Sequence, residues 1–171
     1  MIDTALSERV DRLVNQLARA IETRNCNVAV AESLTGGQLA AALSSAQNAG
    51  EWFRGGIVAY HPEVKYGLLG APRGPVVTPE TAEAMARSTA ELLGADYTVA
   101  LTGVGGPHPD EHKPAGTVYL STFGTQSGTR VEGRFFSGDP TDVLTQSIEA
   151  ALIALQSRIE SDSEEFDHPT R

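Results

Sequence analysis

The serine that follows a short apolar run is the residue of this sequence best placed for chemistry. Ser33 stands in the segment VAVAESLTGG, residues 28–37. The apolar run predicts a buried strand over 28–31, and a helix is predicted over 36–46. A serine at such a strand-to-helix turn exposes its hydroxyl at the sheet edge. The free N–H groups beside it can bind an anion or a developing oxyanion, and they belong to Thr35, Gly36 and Gly37. The segment therefore predicts either a nucleophilic serine or a phosphate-binding turn.

A lysine in the next loop is the candidate general base. Lys65 belongs to the segment YHPEVK, near the start of a short helix predicted from Pro62 to about Gly70. Burial and the positive end of a helix both favour the neutral form of a lysine and therefore lower its pKa. A neutral Lys65 that points at Ser33 could accept the hydroxyl proton and later deliver it to a leaving amine. The alternative is a solvated lysine on a helix surface.

A third loop is rich in glycine. The segment TGVGGP, residues 102–107, follows a predicted strand and runs on to Lys113. Glycines let the backbone approach a ligand closely and point its N–H groups inward, which would suit a phosphate or a carboxylate. The segment matches neither a Walker loop nor the GxGxxG pattern. A permissive surface turn is the alternative interpretation.

The remaining titratable residues give weaker signals. Glu32 could be a catalytic acid or could pair with a lysine, and we favour the structural role. The histidines show no zinc-like spacing with a cysteine, which predicts no metal site. Cys26 is the only cysteine, so an internal disulfide is impossible, and a lone thiol fits a reducing cytoplasm.

The elements that must position these residues alternate between helix and strand. Hydrophobic periodicity, capping residues and glycine or proline stops predict helices over 5–24, 36–46, 62–70, 78–93 and 140–159. Apolar or alternating runs predict strands over 28–31, 56–60, 97–102, 116–123 and 130–136. This order predicts a three-layer α/β/α sandwich around a mixed, mostly parallel sheet that contains an antiparallel hairpin. Loops at the carboxyl ends of parallel strands meet at one rim, which would gather the three candidate segments.

Composition limits the classes of partner and the number of domains. The 171 residues carry a formal net charge of −9, which argues against a protein that binds duplex DNA or an anionic membrane. No apolar run approaches the ~20 residues that cross a bilayer, and the amino terminus lacks a secretion signal pattern. We therefore expect a cytoplasmic protein with one domain over 1–159. Residues 160–171 are rich in acidic side chains and predict a disordered tail.

Four ordered segments together resemble the CinA C-terminal domain family, whose enzymatic members are nicotinamide mononucleotide deamidases. They are AESLTGGQLA, WFRGGIVAYHPEVKYGLLG, TAEAMARSTAELLGADYTVALTGVGGP and KPAGTVYLS. They span about residues 31–121, and the helices predicted before and after them are of the kind that the family has there. The resemblance implies hydrolysis of the nicotinamide mononucleotide carboxamide, with Ser33 as nucleophile and Lys65 as base. It further implies no metal, no organic cofactor, a phosphorylated nucleotide as substrate and a homodimer. The implied substrate-binding residues are Thr35, Gly36, Gly37, Tyr60, Thr102, Gly103, Gly105, Gly106 and Lys113.

The sequence departs from the family pattern at two positions. Family enzymes commonly carry two basic residues after the F-x-G-D segment, whereas this chain has Pro140 and Leu144 there. If those residues hold the substrate phosphate, this chain lacks contacts worth ~1.5–3 kcal/mol each. Arg130 and Arg134 are candidate substitutes. The alternatives are therefore an amidase with a different ligand, or a catalytically weak or inactive member that binds a nucleotide or a protein.

Overall fold

A five-stranded sheet lies between two layers of helices in the computed structural model, which describes residues 4–167. The strands are β1 (Val28–Glu32), β2 (Phe53–Val58), β3 (Tyr97–Gly103), β4 (Thr117–Gly124) and β5 (Gly128–Phe135). The helices are α1 (Thr4–Arg24), α2 (Gln38–Ser44), α3 (Ala49–Trp52), α4 (Pro62–Leu69), α5 (Pro79–Leu93) and α6 (Pro140–Asp167). Within residues 4–167, no helix is both long enough and apolar enough to cross a lipid bilayer.

The sheet has the strand order β2-β1-β3-β4-β5. Strand β1 pairs in parallel with both β2 and β3, and β4 is antiparallel to both β3 and β5. Four of the five strands therefore run in one direction, and β4 alone is reversed. The prediction of a mixed, mostly parallel sheet with an antiparallel hairpin is confirmed. The carboxyl ends of β1, β2 and β3 lie at the same edge, since Glu32 is opposite Val58 and Ala31 is opposite Ala100.

The two faces of the sheet pack against different helices. Alternate residues of a strand point to opposite faces, so Val30 and Leu101 belong to the core shared with α1, α2, α3 and α6. Ala31 and Ala100 point to the other face, where they pack against Leu69 of α4 and the α5 side chains. The three-layer arrangement predicted from the order of the elements is confirmed.

The last helix is longer than predicted. α6 does not end at residue 159 but continues to Asp167, so the prediction of a disordered tail is wrong for residues 160–167. The physical reason lies in Asp162, which is only 1% exposed and pairs with the buried Arg158 at 3.1 Å. Arg158 also donates to the Gly128 carbonyl at 2.6 Å, which fixes this part of α6 against the hairpin. Residues 168–171 lie outside the described residues.

Strand β2 begins at Phe53, directly after a short helix, α3, that the sequence did not predict. The strand was predicted over 56–60, so both its start and its end were placed too late. Gly56 is required by packing, because a Cβ atom there would lie 2.9 Å from the Ala40 Cβ atom of α2. Glycine at this position lets α2 lie close on the strand and so positions the turn that carries Ser33.

Candidate functional site

A cavity of about 610 Å³ opens at the carboxyl edge of the sheet. Five segments form its wall: the turn after β1, the loop before α4 with the first turn of that helix, the segment before α5, the loop after β3, and the start of α6. The lining residues are Ser33, Leu34, Tyr60, Pro62, Lys65, Val76, Val77, residues 102–111, Pro140 and Leu144. The structure thus brings Ser33, Lys65 and the glycine-rich loop to one cavity, at the rim where loops of an open α/β sheet bind ligands.

Lys65 is buried in the first turn of α4. The residue is 1% exposed, and its Nζ atom donates a hydrogen bond to the Tyr60 carbonyl at 2.9 Å. His61 caps this helix, with its Nδ1 atom accepting from the Glu63 N–H group at 3.2 Å. Burial lowers the pKa of Lys65, and the negative charge of Glu111 raises it by a smaller amount. The alternative of a solvated surface lysine is therefore wrong, and the amine loses its proton more readily than an ordinary lysine.

Ser33 follows β1 directly and is 7% exposed. The chain reverses after it through Gly36 and Gly37, which have φ angles of 56° and 98°. Side chains with a Cβ atom rarely adopt these left-handed conformations, so the pair of glycines in the sequence sets this turn. The turn leaves Ser33 and Leu34 on the cavity wall.

Two N–H groups of this turn donate hydrogen bonds to acceptors within the same segment. Gly36 donates to the Ser33 carbonyl at 3.1 Å, and Gly37 donates to the Glu32 carboxylate at 3.1 Å. Both N–H groups are thus used within the turn, and their binding of a ligand stays a prediction. The N–H group of Thr35 has no partner within residues 4–167, but Thr35, Gly36 and Gly37 all lie outside the cavity wall.

Glu32 caps the helix that follows the serine turn. Its carboxylate is fully buried and also accepts from the N–H groups of Leu39 at 3.0 Å and Ala40 at 2.8 Å. These donors are among the N–H groups that the start of a helix leaves without partners. The structure supports the structural role that we favoured for Glu32, although its partners are backbone N–H groups rather than a lysine.

The glycine-rich loop supplies the backbone donors of the wall. The N–H groups of Gly105 and Gly106, and that of Leu34, which lies beside Gly105, make no hydrogen bond within residues 4–167. Gly103 is required for another reason, because a Cβ atom there would lie 2.7 Å from the Thr117 carbonyl oxygen of the neighbouring strand. Backbone N–H groups of this kind can stabilise an oxyanion or an anionic ligand.

Two other predicted binding residues are placed differently. Thr102 lines the cavity, but its buried hydroxyl donates to the Val76 carbonyl at 2.9 Å and so fixes the wall. Lys113 lies outside the wall, where its backbone pairs with Asp110 through hydrogen bonds of 3.0 and 2.8 Å. Tyr60 lines the cavity and is 69% exposed at its mouth.

Sequence reasoning missed Glu111. Its two carboxylate oxygens accept from the N–H groups of Val76 at 2.8 Å and Val77 at 2.7 Å, and its negative charge raises the pKa of Lys65, which lies on the same cavity wall. Glu111 has a φ angle of 49°, a left-handed conformation that is uncommon outside glycine. A glutamate in a polar loop gives no sequence signal for such a role, because its partners lie 34 and 35 residues away.

The wall carries few positive charges. Its charged or titratable side chains, among the residues that the structure describes, are Tyr60, Lys65, His108, Asp110 and Glu111. Pro140 and Leu144 add an apolar surface from α6. Arg130 and Arg134, the candidate substitutes for the missing basic pair, do not line the cavity and are paired with Asp162 and Glu132. Over the described part of the chain, no group of three or more His, Cys, Asp or Glu residues is placed to hold a metal ion.

Comparison with known proteins extends over nearly the whole of this fold. A family model described as the CinA C-terminal domain matches residues 10–159. A CinA-like protein of Frankia casuarinae is 40% identical over 147 residues, which is 83% of this chain and 34% of the relative. A CinA-like protein of Desulfotalea psychrophila is 34% identical over 166 residues, which is 91% of this chain and 40% of the relative. The chain thus spans between a third and two fifths of the length of these relatives.

Solved structures agree with the sequence matches. A competence-damaged protein (CinA) superfamily protein from Klebsiella pneumoniae 700603 superposes with a TM-score of 0.85 at 28% identity, covering 89% of this chain and 98% of that structure. A competence or damage-inducible protein from Enterobacter asburiae superposes with a TM-score of 0.83 at 30% identity, covering 88% of this chain and 98% of that structure.

Proposed function

Because the chain belongs to the CinA C-terminal domain family, we propose that it is an amidohydrolase that converts nicotinamide mononucleotide to nicotinic acid mononucleotide and ammonia. The observation that carries this proposal is the presence of Ser33 and a buried lysine, Lys65, on the wall of one cavity. A serine hydroxyl is a weak nucleophile until a neighbouring base accepts its proton. Lys65, whose pKa is lowered by burial, has the character that this base needs.

The first half of the reaction forms an acyl-enzyme. The Ser33 Oγ atom attacks the carboxamide carbon, a C–O bond forms, and the hydroxyl proton passes to the Lys65 Nζ atom. The C–N bond then breaks as Lys65 returns that proton to the leaving nitrogen, which departs as ammonia. The N–H group of Leu34, which directly follows Ser33 and has no partner within residues 4–167, would stabilise the oxyanion.

The second half of the reaction releases the acid. A water molecule enters the position that ammonia has left, and neutral Lys65 accepts one of its protons as oxygen attacks the ester carbon. The bond to Ser33 Oγ breaks, and Lys65 delivers the proton to that oxygen, which restores the hydroxyl. The substrate phosphate would lie against the unpaired N–H groups of Gly105 and Gly106, since the Val104 N–H group donates to the Thr117 carbonyl at 2.8 Å and Lys113 is not on the wall.

The test is ammonia release from nicotinamide mononucleotide by three variants. We expect Ser33→Ala and Lys65→Met each to lower kcat by at least about 100-fold, the usual contribution of a nucleophile or its base. Ser44→Ala removes an exposed hydroxyl from neighbouring α2, where it donates to the Ala41 carbonyl, and serves as the matched control. Wild-type turnover by folded Ser33→Ala would refute the nucleophile, and a wild-type chain that binds without turnover would indicate a non-catalytic member.

The apolar surface from α6 favours a second candidate function, an amidase whose substrate lacks a phosphate. Pro140 and Leu144 occupy the wall, and the first turn of α6 is already capped by Asp139, which accepts from the N–H groups of Thr141 and Asp142 at 2.8 and 3.0 Å. A panel of amides with and without a phosphate separates the two functions. If nicotinamide mononucleotide is the substrate, Leu144→Arg should lower its KM by roughly 10-fold or more and leave the KM of nicotinamide riboside nearly unchanged. Turnover confined to phosphate-free amides would favour the second function.

A further inference from the structure

We propose that Glu111 is a positioning residue for this chemistry: its fixed carboxylate stabilises the ammonium that forms when Lys65 accepts the proton of Ser33. The inference rests on the proposed amidase function, to which it adds a third side chain. Glu111 takes no proton itself, so the proton still passes only between Ser33, Lys65, the leaving nitrogen and water.

The carboxylate of Glu111 is held in place by the segment before α5. Its two oxygens accept the N–H groups of Val76 and Val77 at 2.8 and 2.7 Å. The Thr102 hydroxyl fixes the same segment from the other side, through the Val76 carbonyl at 2.9 Å. Two hydrogen bonds from backbone donors keep a carboxylate in one orientation. Glu111 thus presents a fixed negative charge to the cavity.

Lys65 has few other means of stabilising a positive charge. It is 1% exposed, and its hydrogen-bond acceptor within residues 4–167 is the Tyr60 carbonyl. Burial disfavours its charged form, and the Glu111 carboxylate is the group whose charge favours it. Because Lys65 is buried, a charge near it has more effect than a charge at the surface would have. Glu111 therefore offsets part of the burial cost at the moment when Lys65 carries the proton.

Other titratable groups surround Lys65, and the experiment must separate their effects. On the cavity wall they are Tyr60, His108 and Asp110, whose carboxylate accepts from the Glu111 N–H group at 2.8 Å. On its own helix they are Glu63, which pairs with the exposed Arg73 at 3.3 Å, and Tyr66, whose hydroxyl donates to the Gly74 carbonyl; His61 caps that helix. From β1 comes Glu32, whose carboxylate is occupied by the N–H groups at the start of α2.

The chain allows a direct measurement, because it contains two lysines, Lys65 and Lys113. Protein labelled with ¹³C-lysine gives two side-chain Cε signals, which Lys113→Arg assigns. We expect Glu111→Gln to move the titration midpoint of Lys65 to lower pH, since the charge that favours the ammonium is gone. Glu63→Gln, which removes an exposed carboxylate from the same helix, should move the midpoint less.

If Glu111 only fixed the position of the cavity wall, the titration midpoint of Lys65 would respond differently. Thr102→Val removes the hydrogen bond to Val76 but leaves the charge of Glu111 in place, so it should leave the Lys65 midpoint unchanged. A shift in Thr102→Val as large as that in Glu111→Gln would overturn the proposal, and so would an unshifted midpoint in Glu111→Gln. If Glu111→Gln does not fold, Glu111→Asp keeps the charge. Its midpoint should stay close to that of the wild type, and a clear fall would contradict the proposal.

Kinetics give the second readout. For Glu111→Gln we expect the rise of kcat with pH to begin at lower pH, while its plateau falls by about 10-fold. A loosened wall alone would lower the rate at every pH without moving the rise. The titration needs no substrate, so the two proposals fail separately. An inactive wild type would refute the proposed function, whereas an active wild type with unshifted titrations would refute only the role of Glu111.

Discussion

Glu32 offers the sharpest test of how the serine turn is built, because the two possible roles of this carboxylate predict different losses. The side chain is fully buried and accepts three N–H groups, from Gly37, Leu39 and Ala40, at 3.1, 3.0 and 2.8 Å. Glu32→Ala leaves all three donors without their acceptor. A buried donor that loses its partner costs about 1–3 kcal/mol, and the Leu39 donor is fully buried whereas the other two are partly buried.

The free energy of unfolding should therefore fall by about 3–5 kcal/mol in Glu32→Ala, a large part of the stability of a domain of this size. Glu32→Gln keeps one acceptor oxygen and should lose roughly half as much. Urea denaturation followed by circular dichroism measures both values. Glu63→Gln is the control, because Glu63 is exposed and its pair with Arg73 at 3.3 Å should contribute less than about 1 kcal/mol.

A Glu32→Ala protein whose free energy of unfolding lies within about 0.5 kcal/mol of the wild-type value would refute the structural role of Glu32. If such a protein also lost ammonia release, Glu32 would be a catalytic acid, the role that we did not favour. If the structural role is right, activity and stability fall together, because the same hydrogen bonds that cap α2 also fix the conformation of the turn beside Ser33.

Three further predictions concern buried or crowded positions. Lys65→Met should be more stable than the wild type at pH 7 by up to about 2 kcal/mol in urea denaturation. Burial lowers the pKa of Lys65 in the folded protein below its unfolded value of 10.5. Between these two pKa values the unfolded chain binds more protons, so the stability of the wild type should rise relative to that of the variant as the pH increases from the folded-state pKa towards 10.5. A stability difference that stays constant from about pH 7 to 10 would contradict this. Burial raises the pKa of Cys26 from 9.0 to about 11, so its reaction with a disulfide reagent at pH 8 should be about 100-fold slower than in the unfolded chain, and an equal rate would contradict burial. Gly116→Ala should lower stability by at least about 2 kcal/mol, since its Cβ atom would lie 1.9 Å from the Phe136 carbonyl oxygen; Gly67→Ala, with nothing within 4 Å, is the control.

The fold and the position of the cavity could be predicted because they follow from local patterns. The apolar strand, the pair of glycines after Ser33 and the capping residues of α4 and α5 each act within a few residues of one another. Parallel strands then bring their carboxyl ends to one edge. Nothing beyond these rules was needed to place Ser33, Lys65 and the glycine-rich loop at the same rim.

The hydrogen-bond partners could not be predicted, because they depend on contacts between distant segments. The bonds from Glu111 to Val76 and Val77 join two loops, and the sequence gives no sign that these loops meet. The end of α6 was misjudged for the same reason. Acidic residues after 159 look solvated in the sequence, but Asp162 is buried by its ion pair with Arg158.

The two sides of the cavity contribute to the chemistry in different ways. On the serine side, the N–H groups of Gly36 and Gly37 are used within the turn, so this side can fix the nucleophile but has few donors left for a ligand. On the opposite side, the loop after β3 combines Gly105 and Gly106, whose N–H groups have no partner within residues 4–167, with the fixed charge of Glu111. Changes in that loop should therefore alter ligand binding and proton transfer together, whereas changes in the serine turn should alter stability and nucleophile geometry.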